Sequence, residues 1–428
     1  MLDSVAVSSV VLLACMFLKV PVFASLIIGS LCYFALPPGA STQIIAQRFT
    51  SGIESIPLLA VPFYIFAGVV MNYCGITSRI MDCCAVLTGR LPGGLAQANI
   101  LLSTLMGGLS GSNLADAAME AKMLVPAMER NGMPKPFSTV VTAFSSIITP
   151  LIPPGIQMIL YGTLAGVSIG KLFISGLSVG LLTCLALMIG TAFIANKRGF
   201  RRLRATRATG AEFFAAFWRA ALPLCLPIVI IGSIRIGVCT PTEAGAVAVV
   251  YGIGLGMLYR TLSLRDFLAS VKETVATTGV IALIVGAASV FAWILTKERI
   301  PQIAAETMAM GIKNKYVFLV IVNLFLLVVG MFIEGTAATI ILAPLLAPVA
   351  RTFGMDDVHF AFIFIFNLSI GCITPPMGTL MFVTCGITGC KIKDFLKDSI
   401  PYFAMLLTIL ALLTFVPFLS VGILDLFY

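Results

Sequence analysis

The sequence has few charged residues, a single histidine and no cysteine pair with the spacing of a metal site. Charged residues make up 11% of its 428 positions, whereas hydrophobic residues make up 59%. Because soluble domains carry about 25% charged residues, this composition excludes an ordinary soluble protein. The lone His359 excludes a haem pair or a multi-histidine metal site, and the eleven cysteines include no CxxC pair that would indicate a zinc site.

Apolar runs of about 18 or more residues fill most of the chain, and each is long enough to cross a bilayer. The first run follows Asp3 with no lysine or arginine before it, so it predicts a membrane span and not a cleaved signal peptide. Residues 196–207 (NKRGFRRLRATR) form a basic segment between two apolar runs. The positive-inside rule places this segment in the cytoplasm, and nucleic-acid binding is the less favoured interpretation.

The chain repeats itself at one constant offset, which carries Pro153-Pro154 onto Pro375-Pro376 without a gap. The same offset also matches further proline, glycine, lysine and phenylalanine positions over about 65 residues, which indicates an internal duplication. We therefore predict two repeats, 1–205 and 206–428.

The positions of glycine, proline and charge between the apolar runs predict an all-α protein with the same elements in each repeat. Each repeat has a re-entrant helical hairpin followed by a span that proline and glycine interrupt. The hairpins are predicted at about 92–130 and 316–351, and the broken spans at about 137–165 and 359–390. Single spans are predicted near 4–18, 20–36, 57–74, 168–195, 217–236, 243–260, 279–296 and 400–425.

The number of spans between the two hairpins predicts that the repeats are inverted. One broken and four single spans separate the hairpins, and an odd number reverses the second repeat in the membrane. The charge distribution agrees, since placing loop 196–207 in the cytoplasm leaves fewer cations on the opposite face. Those cations include Arg48, Lys297, Arg299, Lys313 and Lys315.

The predicted site is formed by four breaks in helices, two in each repeat. Irregular backbone at membrane depth is tolerated where it lines a cavity, and paired broken segments in inverted halves indicate a transporter site. Carbonyls and hydroxyls at the breaks suit sodium, whereas helix N-termini suit a carboxylate. Close helix packing by small residues is the alternative for any single break. The predicted substrate-binding residues are Ser112, Asn113, Asp116, Gln157, Thr336 and Thr379.

Ionisable residues lie on the second arm of the first hairpin. Asp116 and Glu120 are four residues apart and share a helix face, which costs free energy unless one is protonated, paired or near a cation. A carboxylate at membrane depth is a functional candidate by default, although an amphipathic arm facing water also explains this pattern. Glu334, at the second hairpin tip, is a candidate for holding a cation.

Two other classes of membrane protein are less favoured. An ion channel needs a symmetric pore or a carbonyl filter, usually from an oligomer, whereas two inverted hairpins in one chain favour alternating access. A membrane enzyme needs a metal set, an acid cluster or a nucleophile with its base, and Asp356-Asp357 in a predicted loop is the only acidic pair. The residues therefore favour a transporter of a small organic anion.

Five segments together resemble the large membrane subunit of tripartite ATP-independent periplasmic (TRAP) transporters, and the resemblance covers essentially the whole chain. Many relatives carry glycine where this chain has Ala121, so substrate choice and local packing can differ here. The segments are PLLAVPFYIFAG (57–68), GGLSGSNLADAA (107–118), LIPPG (151–155), TPTEAGAVAVVY (240–251) and GCITPPMGTLMF (371–382).

The resemblance implies an elevator-type importer of the bacterial inner membrane that couples sodium ions to the uptake of a small carboxylate, with no organic cofactor. It implies a soluble periplasmic binding protein and a small four-span membrane subunit, expected as a separate chain because no four-span block precedes Met1. A binary sodium/carboxylate symporter without a binding protein stays an alternative. The implied sodium ligands are Ser110, Gly111, Ser112, Pro153, Pro154 and Gly155 in one half, and Gly335, Thr336, Thr374, Pro376 and Gly378 in the other.

Overall fold

Every regular element that the structure describes is a helix. The computed structural model describes residues 2–18, 20–36, 41–200, 202–204, 209–303, 306 and 314–427. In chain order the elements are α1 Leu2–Phe17, α2 Val22–Ala35, α3 Gln43–Ile53, a 3-10 turn Ile56–Leu59, α4 Ala60–Tyr73, α5 Ile76–Thr88, α6 Gly94–Ser110, α7 Asn113–Arg130, α8 Lys135–Ser145, a 3-10 turn Ser146–Leu151, α9 Ile156–Ala165, α10 Ile169–Lys197, α11 Gly210–Arg235, α12 Pro241–Leu258, α13 Leu264–Lys297, α14 Lys315–Phe332, α15 Gly335–Thr352, α16 Asp357–Gly371, α17 Thr379–Thr388, α18 Ile392–Phe415, α19 Phe418–Val421 and α20 Leu424–Phe427.

The helices have the length and surface of a membrane protein. Eight helices in the described part of the chain are long and apolar enough to cross a bilayer, or nine when the bent pair Lys135–Leu151 and Ile156–Ala165 is one span. Large apolar side chains are exposed on their outer faces, such as Trp218 at 69% and Ile228 at 69% on α11. Water does not stabilise such a surface, whereas lipid does. The chain is a multi-pass membrane protein, as predicted.

The hairpins and broken spans recur at the offset found in the sequence. The shift that carries Pro153 onto Pro375 carries α7 onto α15 with identical bounds, and carries α6 onto α14 and α9 onto α17 to within one residue. The pairs α6–α7 and α14–α15 are the two hairpins. Each predicted broken span is likewise two helices separated by a proline-containing break, α8–α9 in the first half and α16–α17 in the second.

Local chemistry explains where the hairpins and broken spans interrupt. Gly111 ends α6 with a φ of 63°, a conformation that glycine adopts without a Cβ penalty. The Ser112 hydroxyl then accepts a hydrogen bond from the Ala115 amide at 3.4 Å and caps α7. In the broken span, Pro153 and Pro154 lack the amide hydrogens that a continuous helix requires, so the helical path stops before them and resumes at α9.

The halves interlock around a shared core. The second hairpin packs through α15 against α9 of the first broken span, and the first hairpin packs through α7 against α17 of the second. Each hairpin also crosses the broken span of its own half. Gly330 and Gly371 allow α14 and α16 to touch, since a Cβ on Gly371 would lie 2.5 Å from the Gly330 Cα.

Five features differ from the sequence-based prediction, among them the start of α11, which lies at Gly210 and not near 217. Helices α3 and α5 were not predicted, because they are shorter than a span and mix polar with apolar residues. Helix α13 begins at Leu264 and not near 279, since its first turns carry charged residues that mask the apolar pattern. Helix α18 begins at Ile392 and ends at Phe415, earlier than the predicted 400–425. Parts of loop 196–207, and Lys313, lie outside the described residues.

Candidate functional site

The tip of the first hairpin lies directly on the break of the first broken span. The Gly111 carbonyl accepts a hydrogen bond from the Ile156 amide at 3.4 Å. A Cβ on Gly111 would lie 2.7 Å from the Pro154 carbonyl oxygen, so only glycine allows this approach. The structure therefore brings together the two segments, 110–112 and 153–155, that were predicted to share a sodium site.

The tip of the second hairpin lies between the two halves. A Cβ on Gly335 would lie 2.2 Å from Nε2 of Gln157, at the start of α9, and 3.7 Å from Sγ of Cys372. The Thr336 hydroxyl donates to Glu334 at 2.8 Å, while the Thr374 hydroxyl, in the break, donates to the Ile370 carbonyl at the end of α16. The second tip thus lies close to Cys372, two residues before Thr374. Pro376, two residues after Thr374, is exposed.

Both tips open into one cavity of about 390 Å³. One wall consists of the tips and the start of α9, and the other consists of α4 and α13. The cavity includes four of the six predicted substrate residues, whereas Asp116 and Thr379 lie outside its described lining. The four are Ser112, Asn113, Gln157 and Thr336.

The charged side chains of this mainly apolar cavity are acidic. Its described lining includes the carboxylates of Glu273 and Glu334 and the amides of Asn72, Asn113 and Gln157, but no lysine, arginine or histidine. Oε1 of Gln157 is buried and has no hydrogen-bond partner among the described residues. An acceptor in this condition indicates a place where a donor or a cation binds.

Asp116 and Glu120 are both fully buried, 0% exposed, on the second arm of the first hairpin. Asp116 Oδ2 accepts from the Thr149 hydroxyl at 2.9 Å, and Glu120 Oε2 accepts from the Ser103 hydroxyl at 2.7 Å. The other oxygen of each carboxyl group has no partner within the described chain. This burial rules out the interpretation that the pair belongs to an arm facing water.

The sequence did not identify several residues of the α4–α13 wall. Gly68 of α4 is closest to the tip, since a Cβ there would lie 2.7 Å from the Leu109 carbonyl oxygen and 2.8 Å from Ser110 Cα. Glu273 and Thr277 lie before position 279, where the span was predicted to begin. Their spacing of four residues, continued by Ile281, is the signal of one helix face that would have extended α13.

A family model matches residues 9–419 of the chain, and its description is "Tripartite ATP-independent periplasmic transporter, DctM component". The chain belongs to this family. The DctM-family chain is 39% identical over 416 residues to the sialic acid TRAP transporter large permease protein SiaM of Vibrio cholerae, covering 97% of both proteins. It is 34% identical to the C4-dicarboxylate TRAP transporter large permease protein DctM of Pseudomonas aeruginosa, covering 92% of both.

A solved structure has a similar fold. The YdaH transporter of Alcanivorax borkumensis superposes with a TM-score of 0.58 at 16% identity, and the match covers 86% of each chain. This similarity concerns the fold alone. The DctM-family relatives are named as transporter permeases, so the prediction that the chain is a large permease subunit and not an enzyme is confirmed.

Proposed function

We propose that this DctM-family chain imports a small organic acid across the bacterial inner membrane, coupled to sodium and by an elevator movement. The observation that carries the proposal is the shared cavity, in which Ser112, Asn113, Gln157 and Thr336 meet although they come from both halves. Helix N-termini at the tips, together with hydroxyl and amide groups, suit the carboxylate of such an acid. The relatives named for sialic acid and C4-dicarboxylate support an organic acid as the substrate.

Sodium fits the donors at the first tip. The Ser110 hydroxyl, the free oxygen of Asp116 and the carbonyls around Pro150 to Pro154 are oxygen ligands of the kind that replace a cation's hydration shell. When bound, sodium supplies positive charge beside a cavity that contains Glu273 and Glu334. This charge matters because an organic anion would otherwise be repelled by these two carboxylates.

The two walls of the cavity support an elevator movement. The hairpins and broken spans pack mainly on one another, and they form the wall that carries the predicted ligands. Helix α13 packs against α2, α3 and α4 and forms most of the opposite wall. We infer that the hairpin body slides along α13 and α4 and carries the site across the membrane, with the halves inverted and loop 196–207 in the cytoplasm.

The family name supports the partners in the proposal. A tripartite transporter has two further components, which we propose are a small four-span membrane subunit and a soluble periplasmic binding protein that delivers the acid. In this proposal, selection of the acid resides largely in the binding protein.

Sodium-driven uptake into proteoliposomes tests the proposal. The chain is reconstituted with its small subunit, and the binding protein is supplied with candidate acids. Replacing Ser110 and Ser112 together by alanine removes two hydroxyl oxygens, so we expect the half-saturating sodium concentration to rise by about tenfold or more. Thr408→Ala is the matched control, because this exposed hydroxyl bonds only within its own helix.

Two results would contradict the proposal. An unchanged sodium titration in the double variant would remove the first tip from the coupling site. Full uptake by this chain alone, without the small subunit and the binding protein, would favour the binary symporter. A cysteine introduced at Arg202 tests the orientation, and we expect a membrane-impermeant reagent to label it only from the cytoplasmic side.

A further inference from the structure

A second cavity of about 640 Å³ lies beside the shared cavity. We call it the basic cavity. It is formed by α3, the end of α13 and the middle of α15. Its polar lining consists of Arg48, Ser51, Ser289, Trp293, Thr296 and Lys297.

The two cavities lie along the same helices. Helix α13 contributes Thr277 to the shared cavity and Ser289 to the basic cavity. These residues are about 18 Å apart along the helix axis, at 1.5 Å per residue. Helix α15 contributes Thr336 to the shared cavity and Pro344 to the basic cavity. A body that moves along α13 would therefore pass from one cavity to the other.

The charges of the two cavities are opposite. The shared cavity contains Glu273 and Glu334 without a described cation. The basic cavity contains Arg48 and Lys297, and its described lining includes no acidic side chain. An anion is therefore attracted at one end of this path and repelled at the other.

The two cations of the basic cavity differ in how they are held. The Arg48 side chain is exposed, and no residue that the structure describes occupies its guanidinium donors, which suit an oxyanion. The Lys297 ammonium lies 3.4 Å from the Tyr33 hydroxyl and 5.3 Å from the centre of the Trp293 ring, which fixes its position. The neighbouring Glu298 accepts a hydrogen bond from Tyr33 and is not part of the lining.

We propose that the basic cavity is the receiving site for the anionic group of the substrate, in which Arg48 binds a carboxylate through two donors and Lys297 provides a second positive charge. This inference rests on the proposed function for the identity of the transported acid. The hairpin tips would accept the acid at this end of α13 and release it beside Glu273. The charge difference between the cavities opposes movement of the bare anion towards Glu273, so the coupled sodium must drive that step, and the acidic cavity then favours release.

Charged thiol reagents test the basic cavity directly. Ser51→Cys introduces an exposed thiol into the lining, and spheroplasts expose this face to the medium. The probes are the anionic 2-sulfonatoethyl and the cationic 2-(trimethylammonium)ethyl methanethiosulfonates, with labelling of the chain that lacks the added cysteine subtracted. Adding Arg48→Gln and Lys297→Gln should lower the ratio of the anionic to the cationic labelling rate by about tenfold. Arg299→Gln, a cation on the same face outside the lining, should leave the ratio nearly unchanged.

Uptake and protection measurements connect the cavity to transport. We expect the Arg48→Gln variant to raise the KM for the acid about tenfold while the maximal rate and the sodium titration stay unchanged, and Arg48→Lys to restore part of the affinity. The transported acid should slow the labelling of Ser51→Cys only when Arg48 is present.

A lipid headgroup is the competing occupant of the basic cavity. Labelling of Ser51→Cys is therefore compared in proteoliposomes of phosphatidylcholine alone and of phosphatidylcholine with phosphatidylglycerol in equal parts. If phosphatidylglycerol slows labelling and the acid does not, a lipid headgroup is the occupant and the proposal is overturned.

The remaining outcomes separate this proposal from the proposed function. If the ratio of anionic to cationic labelling rates does not change when Arg48 and Lys297 are replaced, the receiving site is overturned, whether or not uptake is observed. If replacing both residues lowers this ratio but uptake by the complex does not depend on sodium, the receiving site is supported and the proposed coupling is overturned.

Discussion

The two hairpins share their helix bounds but not their chemistry. In the first hairpin the residue that caps the returning helix is Ser112, whose hydroxyl accepts from the amide three residues on at 3.4 Å. At the equivalent position of the second hairpin, Glu334 accepts from the amide three residues on at 3.1 Å. The geometry of the cap is therefore the same, whereas a neutral hydroxyl in one half is a carboxylate in the other.

The buried carboxylates show the reverse difference. Asp116 and Glu120 of the first hairpin correspond, at the offset of the duplication, to Ala338 and Leu342 of the second. The first hairpin thus carries its carboxyl groups inside the protein, whereas the second carries its carboxyl group at the tip that faces the cavity. The backbones of the two hairpins match while their carboxyl groups lie in different places, so we expect the hairpins to perform different tasks.

The largest effect is expected when the inner charge of the first hairpin is removed. In Asp116→Asn the shape and the bond to Thr149 remain possible, but the negative charge is lost. If this carboxylate binds the coupling ion, about 3 kcal/mol or more of interaction disappears, which is about a hundredfold in sodium affinity. The measurement is the sodium dependence of uptake in proteoliposomes.

Glu129→Gln is the matched control for this variant. Glu129 lies on the same helix, is partly exposed and faces Lys135 at 3.7 Å, so its loss should change the sodium titration little. Equal titrations for Asp116→Asn and the unmodified chain would show that the inner carboxylate of the first hairpin has no part in coupling. The contrast between the hairpins would then be structural only.

The next effect concerns the close contact between the first tip and α4. Gly68→Ala places a methyl group against the Leu109 carbonyl oxygen, and overpacking of this kind costs about 1–3 kcal/mol. We expect uptake to fall by about tenfold, because the tip cannot occupy its position against α4. Gly254→Ala on α12 is the control, since nothing lies within 4 Å of a Cβ there. Normal uptake by Gly68→Ala would show that the tip does not need this close approach.

Features that depend on local chemistry could be predicted from the sequence, whereas features that depend on tertiary packing could not. The breaks at Gly111 and at Pro153-Pro154 follow from local chemistry, so the hairpins and broken spans were predicted nearly at their observed bounds. Gly68 and Glu273 were not identified, because their roles depend on which helices pack against the tips. The burial of Asp116 depends in the same way on α8 and its 3-10 turn, and a helix pattern alone does not distinguish a water-facing carboxylate from a buried one.

A smaller effect is expected from exchanging the caps. Glu334→Ser gives the second hairpin the cap of the first, so the stability of the folded chain should change by less than about 1 kcal/mol. The charge at the cavity is lost. One partly screened charge contributes about 1 kcal/mol, so we expect the KM for the acid to change threefold to tenfold. Thermal unfolding in detergent and uptake are measured together. Loss of stability with unchanged uptake would assign Glu334 to capping alone.

The smallest effect is expected at Glu120, which the second hairpin replaces by leucine. One oxygen of Glu120 is buried without a described partner, and an unsatisfied group of this kind costs about 1–3 kcal/mol. Glu120→Leu keeps a similar volume, and Ser103 retains its hydrogen bond to the Asn99 carbonyl at 3.2 Å. We therefore expect the variant to unfold at a slightly higher temperature and to keep its sodium titration. If sodium dependence disappears instead, Asp116 and Glu120 act together in coupling, and the first hairpin differs from the second by a pair of functional carboxyl groups.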